Sequence, residues 1–309
     1  MSKFIYQELC ASQNLPIFMQ DWWLDALCGE NWQPIIVFDK ENKPEAAMVY
    51  HWKKKYGFTF LLPPPLTPIM GAWFRYPTQA QKQHSIYHHE MKLTDALIDE
   101  LPNAVFTITQ LGLNFDNWLP FMWRGFKQRT RYTFLIENLG DFDGVLANFS
   151  ENVKRNLKKG KNLTVSESDD VKILYDLAQS SMQRNGSQLN FSFDTLNLLY
   201  LNIKAQNSGQ IFQITNENKE VLASALIVWD KEKAYFLVAG DNRKNMSAST
   251  VLIHFILEKM SKKAIQTFDF EGSMVAPIAN FYRSFGAKAQ TYHLIFKGRN
   301  RFWAMFFPL

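Results

Sequence analysis

The chain has 309 residues, about twice the roughly 150 of an ordinary domain, so two domains or one large α/β unit are expected. Hydrophobic residues make up 47% and charged residues 20%, with 14 glycines and 12 prolines, a globular composition that excludes disordered, linker-like and collagenous chains. The net charge of +5 suits an anionic ligand but falls short of a nucleic-acid coat, and two cysteines, Cys10 and Cys28, exclude a disulfide framework or a Cys-rich zinc site.

Met1 to Phe18 lacks the basic-then-apolar pattern of an export signal. No stretch reaches the roughly 18 uncharged apolar residues that span a bilayer, so a cytoplasmic protein without a transmembrane segment is expected. The first strand pair is Ile35 to Trp52, turning at Glu41-Asn42-Lys43, and Phe58 to Leu62 reads as a third strand. Leu61-Leu-Pro-Pro-Pro-Leu-Thr-Pro-Ile-Met-Gly71 is a long stiff loop. A helical stretch near Thr78 to Leu101, a strand Ala104 to Thr109, the segment Phe121-Met-Trp-Arg-Gly-Phe126 and a strand Arg131 to Ile136 follow.

Seven of the nine tryptophans lie in this half, and Trp73, beside the Pro63 to Met70 loop, could wall a groove for a sugar or peptide acceptor, although most of these rings are expected in the core. His84 and His88 stand four apart on a helix, but no third ligand is evident and no metal is expected.

Ser150 reads as the N-cap and Gly160 as the stop of a helix whose Phe149, Val153 and Leu157 recur every four residues and face a core. This leaves Lys154, Arg155, Lys158, Lys159 and Lys161 as a cationic ridge. It can grip a polyanion, tRNA or a nucleotide diphosphate, or be a solvated face, since cations in a last helical turn also suit the macrodipole. Arg129 and Arg131 are weaker candidates of the same kind.

The element order then repeats. Ile211 to Trp229 is again strand, Glu217-Asn218-Lys219 turn, strand, 176 residues after the first turn, and Ala234 to Val238, a helix Ser247 to Lys262 and a strand Gln266 to Phe270 follow. Phe281-Tyr-Arg-Ser-Phe-Gly286 and the strand Thr291 to Phe296 match the first copy at an offset of 160, so the insertion sits in the first copy, at its proline-rich loop. The chain reads as two duplicated α/β domains, residues 1–145 and 146–296, with 297–309 a final strand or tail; chance similarity is the alternative. Arg301-Phe-Trp-Ala-Met-Phe-Phe-Pro-Leu309 is read as a buried strand in preference to a membrane contact.

The succession β, α, α, β, β, β, α, β, α, β from Leu163 to Phe296 is similar to the GNAT acyltransferase fold, and Tyr282 stands four residues before Gly286 as in that family's last helix. With the duplication, the basic helix Asn152 to Lys159 and Phe268-Asp-Phe-Glu-Gly272, the whole chain resembles the Fem-type peptidoglycan aminoacyltransferases and their relatives. The resemblance implies an α/β (α+β) fold of two tandem GNAT-like domains, each a mixed, largely antiparallel sheet flanked by helices. It also implies acyl transfer to an amine: from aminoacyl-tRNA onto a peptide-sugar precursor, or from acetyl-CoA onto a small-molecule acceptor. No tightly bound cofactor is expected.

The expected chemistry sits in the second copy. Tyr282 would be the acid or oxyanion donor, and Asp269 and Glu271, two apart at a strand end, would include the base; a packed tyrosine and a helix-capping carboxylate are the structural alternatives. Arg243 and Lys244, before a helix start, mark a phosphate locus or solvated loop charges. GNAT enzymes that bind CoA carry glycines here, and Met246 in Arg243-Lys-Asn-Met-Ser-Ala248 is expected to crowd a pyrophosphate, which favours aminoacyl-tRNA over acetyl-CoA as donor. Fem-type enzymes tend to place a lysine where Tyr282 stands. A catalytically silent module binding a nucleotide sugar or RNA is the reading from another class.

Overall fold

The structure, a computed structural model, describes residues 2–77, 82–113, 115, 117–272 and 274–300. The chain separates into two compact units, one built from the residues up to Arg131 together with those from Thr291 onward, the other from Tyr132–Gln290.

In unit 1, α1 (Ser2–Ser12) and α2 (Asp21–Cys28) lead into the antiparallel strands β1 (Trp32–Phe38) and β2 (Pro44–Lys55). The next turn holds Tyr56 and Gly57 at φ 51° and 77°, the two-residue type that matches the twist of its strands, and opens β3 (Phe58–Leu61). The proline-rich loop is anchored as well as stiff: the Trp23 indole donates to Thr67 Oγ1 at 3.1 Å. It ends in β4 (Ala72–Phe74), which pairs with β2 and which the sequence had not marked as a strand. Then come α3 (Gln83–Asp99), β5 (Phe106–Gln110) and α4 (Leu119–Trp123). Leu93, Leu97 and Ile98 of α3, at helical spacing, pack with Ile35, Met48 and Phe121.

The chain continues through β6 (Lys127–Ile136), α5 (Phe142–Ala147), α6 (Glu151–Lys159), β7 (Thr164–Ser168), α7 (Val171–Arg184), α8 (Phe193–Ala205), β8 (Gly209–Thr215), β9 (Val221–Trp229), β10 (Lys233–Asp241), α9 (Ala248–Lys262), β11 (Thr267–Asp269), α10 (Ala276–Arg283) and β12 (Lys288–Gly298). From β7 onward this is the order expected from the sequence. In unit 2 the strand order is β6-β11-β10-β9-β8-β7, antiparallel except for the parallel β10–β11 pair. Phe212, Ala223, Ala225 and Ile227 on one sheet face pack against Leu252, Ile256 and Met260 of α9. On the other face α7 approaches so closely that a Cβ at Gly240 would collide with the backbone of Leu177 and Ala178.

The final strand of each copy is exchanged. After α4, β6 enters unit 2, where Leu135 and Ile136 pair with β11; after α10, β12 returns to unit 1, where Leu294 to Gly298 pair with β5. The units therefore divide inside β6 and β12, whereas the sequence division at residue 145 assigns each strand to the copy it follows. Strand pairing, a long-range property, overrides chain order.

Among the described residues no helix is long and apolar enough to cross a membrane. The expected terminal strand Arg301 to Leu309 lies outside the described residues.

Candidate active site

β11 lasts three residues because its parallel partner diverges: Thr267, Phe268 and Asp269 pair with Lys233, Ala234 and Tyr235, after which β10 runs on with β9 alone through an irregularity between Phe236 and Val238. The chain beyond Asp269 turns sharply, with Glu271 and Gly272 at φ 59° and 67°. Glycine is required at the second of these, since a Cβ there would strike the Tyr132 carbonyl oxygen.

Asp269, Tyr235 and Lys233 lie on one sheet face, and Phe268 and Phe270 enter the core on the other. Asp269 is 1% exposed. Its Oδ1 accepts from the Thr133 hydroxyl and, at 2.9 Å, from the Glu271 backbone N–H, while its Oδ2 is buried with no hydrogen-bond partner. Asp269 thus ties the strand end to the turn; it does not cap the following helix, whose N-cap is Val275 without a side-chain bond.

Glu271 is partly buried, and its Oε1 is enclosed with no partner. Burial, and then the neighbouring Asp269 charge, hold its carboxyl well above the ordinary glutamate range, with Lys233 only partly offsetting them. Burial likewise raises Asp269, against the Thr133 hydrogen bond and the Lys233 charge.

Tyr282 lies on α10, its ring stacked on Phe270 at 4.5 Å between centroids and flanked by Phe134 and Phe236. The packed-tyrosine reading holds for the ring. The hydroxyl makes no hydrogen bond among the described residues, and burial, then the Glu271 charge, raise its pKa, so it is protonated at neutral pH and can donate. Glu271 therefore feels the Asp269 charge and in turn acts on Tyr282. Three residues expected to act together are gathered at one corner of unit 2, with Thr133, Lys233 and Tyr235 added by the fold.

The Arg243 to Ser247 loop already satisfies several of the amides a phosphate would use. The backbone N–H groups of Arg243, Lys244 and Ser247 donate to Asp241 Oδ1, Asn242 Oδ1 and Asn245 Oδ1 at 3.1, 3.0 and 2.8 Å. Lys244 is ion-paired with Glu220, and Arg243 is exposed. Met246 is 82% exposed, so its side chain stands out in solvent and does not crowd the loop as expected.

On α6 the Ser150 hydroxyl caps Val153 N–H at 3.3 Å, and Val153 is buried, as expected. Lys154 pairs with Glu151 at 3.0 Å and Arg155 donates to Asn152 at 2.7 Å, leaving Lys158 and Lys159 exposed in the last turn. Gly160 closes against Val251 near the start of α9, so the basic end of α6 and the Arg243 loop occupy the same end of unit 2. Trp73 belongs to unit 1, half-buried on β4 against the Trp32 and Met70 cluster. Among the described residues no three His, Cys, Asp or Glu side chains are placed to hold a metal, and His89 Nε2 is bonded to the Arg75 carbonyl at 3.0 Å.

Sequence reasoning missed Thr133, Lys233 and Tyr235. Thr133 had one signal, a lone polar residue in the apolar run Thr133 to Ile136, but nothing local connects it to a carboxylate 136 residues away.

No protein-family model and no curated protein sequence matches this chain. Solved structures do. The crystal structure of FemX superposes with a TM-score of 0.67 at 11% identity, covering 96% of this chain and 95% of that one. The C-terminal domain of a putative lysylphosphatidylglycerol synthetase from Agrobacterium fabrum gives 0.54 at 11%, covering 98% and 92%. A tandem GNAT protein from the clavulanic acid biosynthesis pathway gives 0.53 at 6%, covering 96% and 94%. The chain has the Fem-like tandem GNAT fold.

Proposed function

We propose that unit 2 transfers an acyl or aminoacyl group to an amine of a cell-envelope precursor or related small molecule, in the cytoplasm. The observation that carries this reading is a buried Glu271 oxygen without a hydrogen-bond partner one residue from Phe270, on which the Tyr282 ring stacks, the Tyr282 hydroxyl making no hydrogen bond among the described residues.

In such a reaction the amine nitrogen attacks the carbonyl carbon of an ester or thioester, the C=O π electrons move to oxygen, and the tetrahedral intermediate expels the alkoxide or thiolate. Glu271, with its raised proton affinity, takes the proton from the nitrogen. Tyr282 donates to the developing oxyanion or to the leaving atom. Asp269 is a positioning residue: its bonds to Thr133 and the Glu271 N–H hold the turn that aims the base. Such a constellation counts against a silent binding module.

Aminoacyl-tRNA is the favoured donor, because the Arg243 loop amides are self-capped while Lys158 and Lys159 at the same end of the unit remain open to a polyanion. Acetyl-CoA is the alternative. Native mass spectrometry with aminoacyl-tRNA, acetyl-CoA and a UDP-linked muropeptide offered in turn tests the reading. Retention of an acceptor and turnover with aminoacyl-tRNA are expected; tight acetyl-CoA binding would replace the donor, and full activity of Glu271→Gln would remove the site.

A further inference from the structure

Unit 1 holds a groove of about 720 Å³ that the proposed reaction does not use. Its floor is the sheet, through Thr59, Val105 and Thr107, and its wall is the end of α3. Strand register sets cations in and beside that floor: Lys297 and Arg299 line it, and Lys54 stands next to it on the neighbouring strand. Lys54 pairs with Thr59 and Lys297 with Thr107, so both project from the same sheet face, and Arg299, whose N–H bonds Val105, lines the groove two residues beyond Lys297.

The local anions are already engaged. Asp99 and Asp95 both pair with Arg124, two carboxylates on one guanidinium, so this cluster keeps a net negative charge and Arg124 offers no free cation. Lys297 Nζ donates to the Arg124 carbonyl at 2.7 Å and stands 5.3 Å from the centroid of the Phe126 ring, and no carboxylate pairs with it among the described residues. Lys54 and Arg299 are exposed, and neither side chain has an ion-pair or hydrogen-bond partner among the described residues. Three like charges on one concave face repel one another unless an anion sits among them.

The groove also has an apolar margin. Phe58, 43% exposed, lines it, and Tyr56, 86% exposed, tops the hairpin in a left-handed conformation that a bulky residue rarely adopts. The volume is that of a small-organic-molecule site, larger than a bare anion needs. It lies at the N-terminal end of β5, whereas the position matching the reactive corner of unit 2 is the other end, at Gln110.

We infer that this groove binds an organic phosphate, its oxygens held by Lys54, Lys297 and Arg299 and its carbon portion lying against Phe58. A phosphate carries up to two charges and several acceptor oxygens, which suits separate cations better than one carboxylate does. The phosphate can belong to a lipid headgroup or to a soluble nucleotide, and the same variants separate the two.

The test uses the whole chain in two arms: flotation with phosphatidylcholine vesicles with and without phosphatidylglycerol, and calorimetry with uridine diphosphate. Binding is expected in one arm and should weaken about tenfold or more in Lys54→Glu/Arg299→Glu, two exposed changes that leave the fold intact by circular dichroism. Lys40→Glu/Lys92→Glu, which makes the same change in net charge elsewhere on unit 1, should retain it. Vesicle binding identifies a headgroup and uridine diphosphate binding a soluble ester. No binding in either arm, binding unchanged by Lys54→Glu/Arg299→Glu, or equal loss in both double variants would each overturn the inference.

Discussion

Replacing the buried carboxyl of Glu271 with an amide should do two opposite things at once. Glu271→Gln keeps the shape of the side chain and removes the charge that burial and Asp269 disfavour. Because the folded-state pKa is raised, the native protein binds the Glu271 proton more tightly than the unfolded chain does. Below the ordinary glutamate pKa the carboxyl is neutral in both states and costs nothing; as pH rises from there through the folded pKa, stability falls, and above the folded pKa the loss is complete. Each pKa unit of elevation corresponds to about 1.4 kcal/mol lost at high pH. Glu271→Gln should therefore unfold at a higher temperature than the parent at pH 8, by about 2–4 °C per kcal/mol for a unit of this size, and the gap should close at pH 4. Calorimetry at the two pH values reads this without any knowledge of the substrate. Turnover should meanwhile fall about 10²-fold or more, since an amide cannot accept the ammonium proton. Equal stability of the two proteins at pH 8, or undiminished turnover in the variant, would refute the reasoning.

Tyr282→Phe keeps the stack on Phe270 and removes an unbonded hydroxyl, so stability should change by less than about 1 kcal/mol while turnover drops about 10²-fold; Met122→Leu, at the matching position of the first copy, should leave turnover within a few-fold. Gly272→Ala should destabilise by more than about 2 kcal/mol in denaturant melts, because the residue has φ 67° and faces the Tyr132 carbonyl, and a parent-like midpoint would show that the turn relaxes freely. Lys158→Glu/Lys159→Glu should weaken binding of aminoacyl-tRNA and flatten its salt dependence, with an unchanged salt slope returning the α6 end to simple solvation.

Much of unit 2 was legible residue by residue. The order from β7 to β12 follows from hydrophobic periodicity and turn residues, and the α6 start follows from a serine whose hydroxyl meets an N–H three residues on. These signals act over a few residues, so one chain carries them openly. β4 escaped because three residues after a proline-rich loop have too little periodicity to declare a strand. The membership of Tyr282, Glu271 and Asp269 in one site was inferred from a family likeness and from strand alternation; their protonation was not inferable at all.

The amino-acid sequence by itself determined the local elements, their duplicated order and the residue types available for proton transfer. Only the tertiary structure decided that β6 and β12 change units, that Thr133 reaches Asp269, and that the amides of the Arg243 loop are capped by their own side chains. It also decided that burial and the Asp269 charge raise the proton affinity of Glu271. Strand pairing and desolvation depend on residues more than a hundred positions apart being brought together, and no window of sequence records how much water that removes.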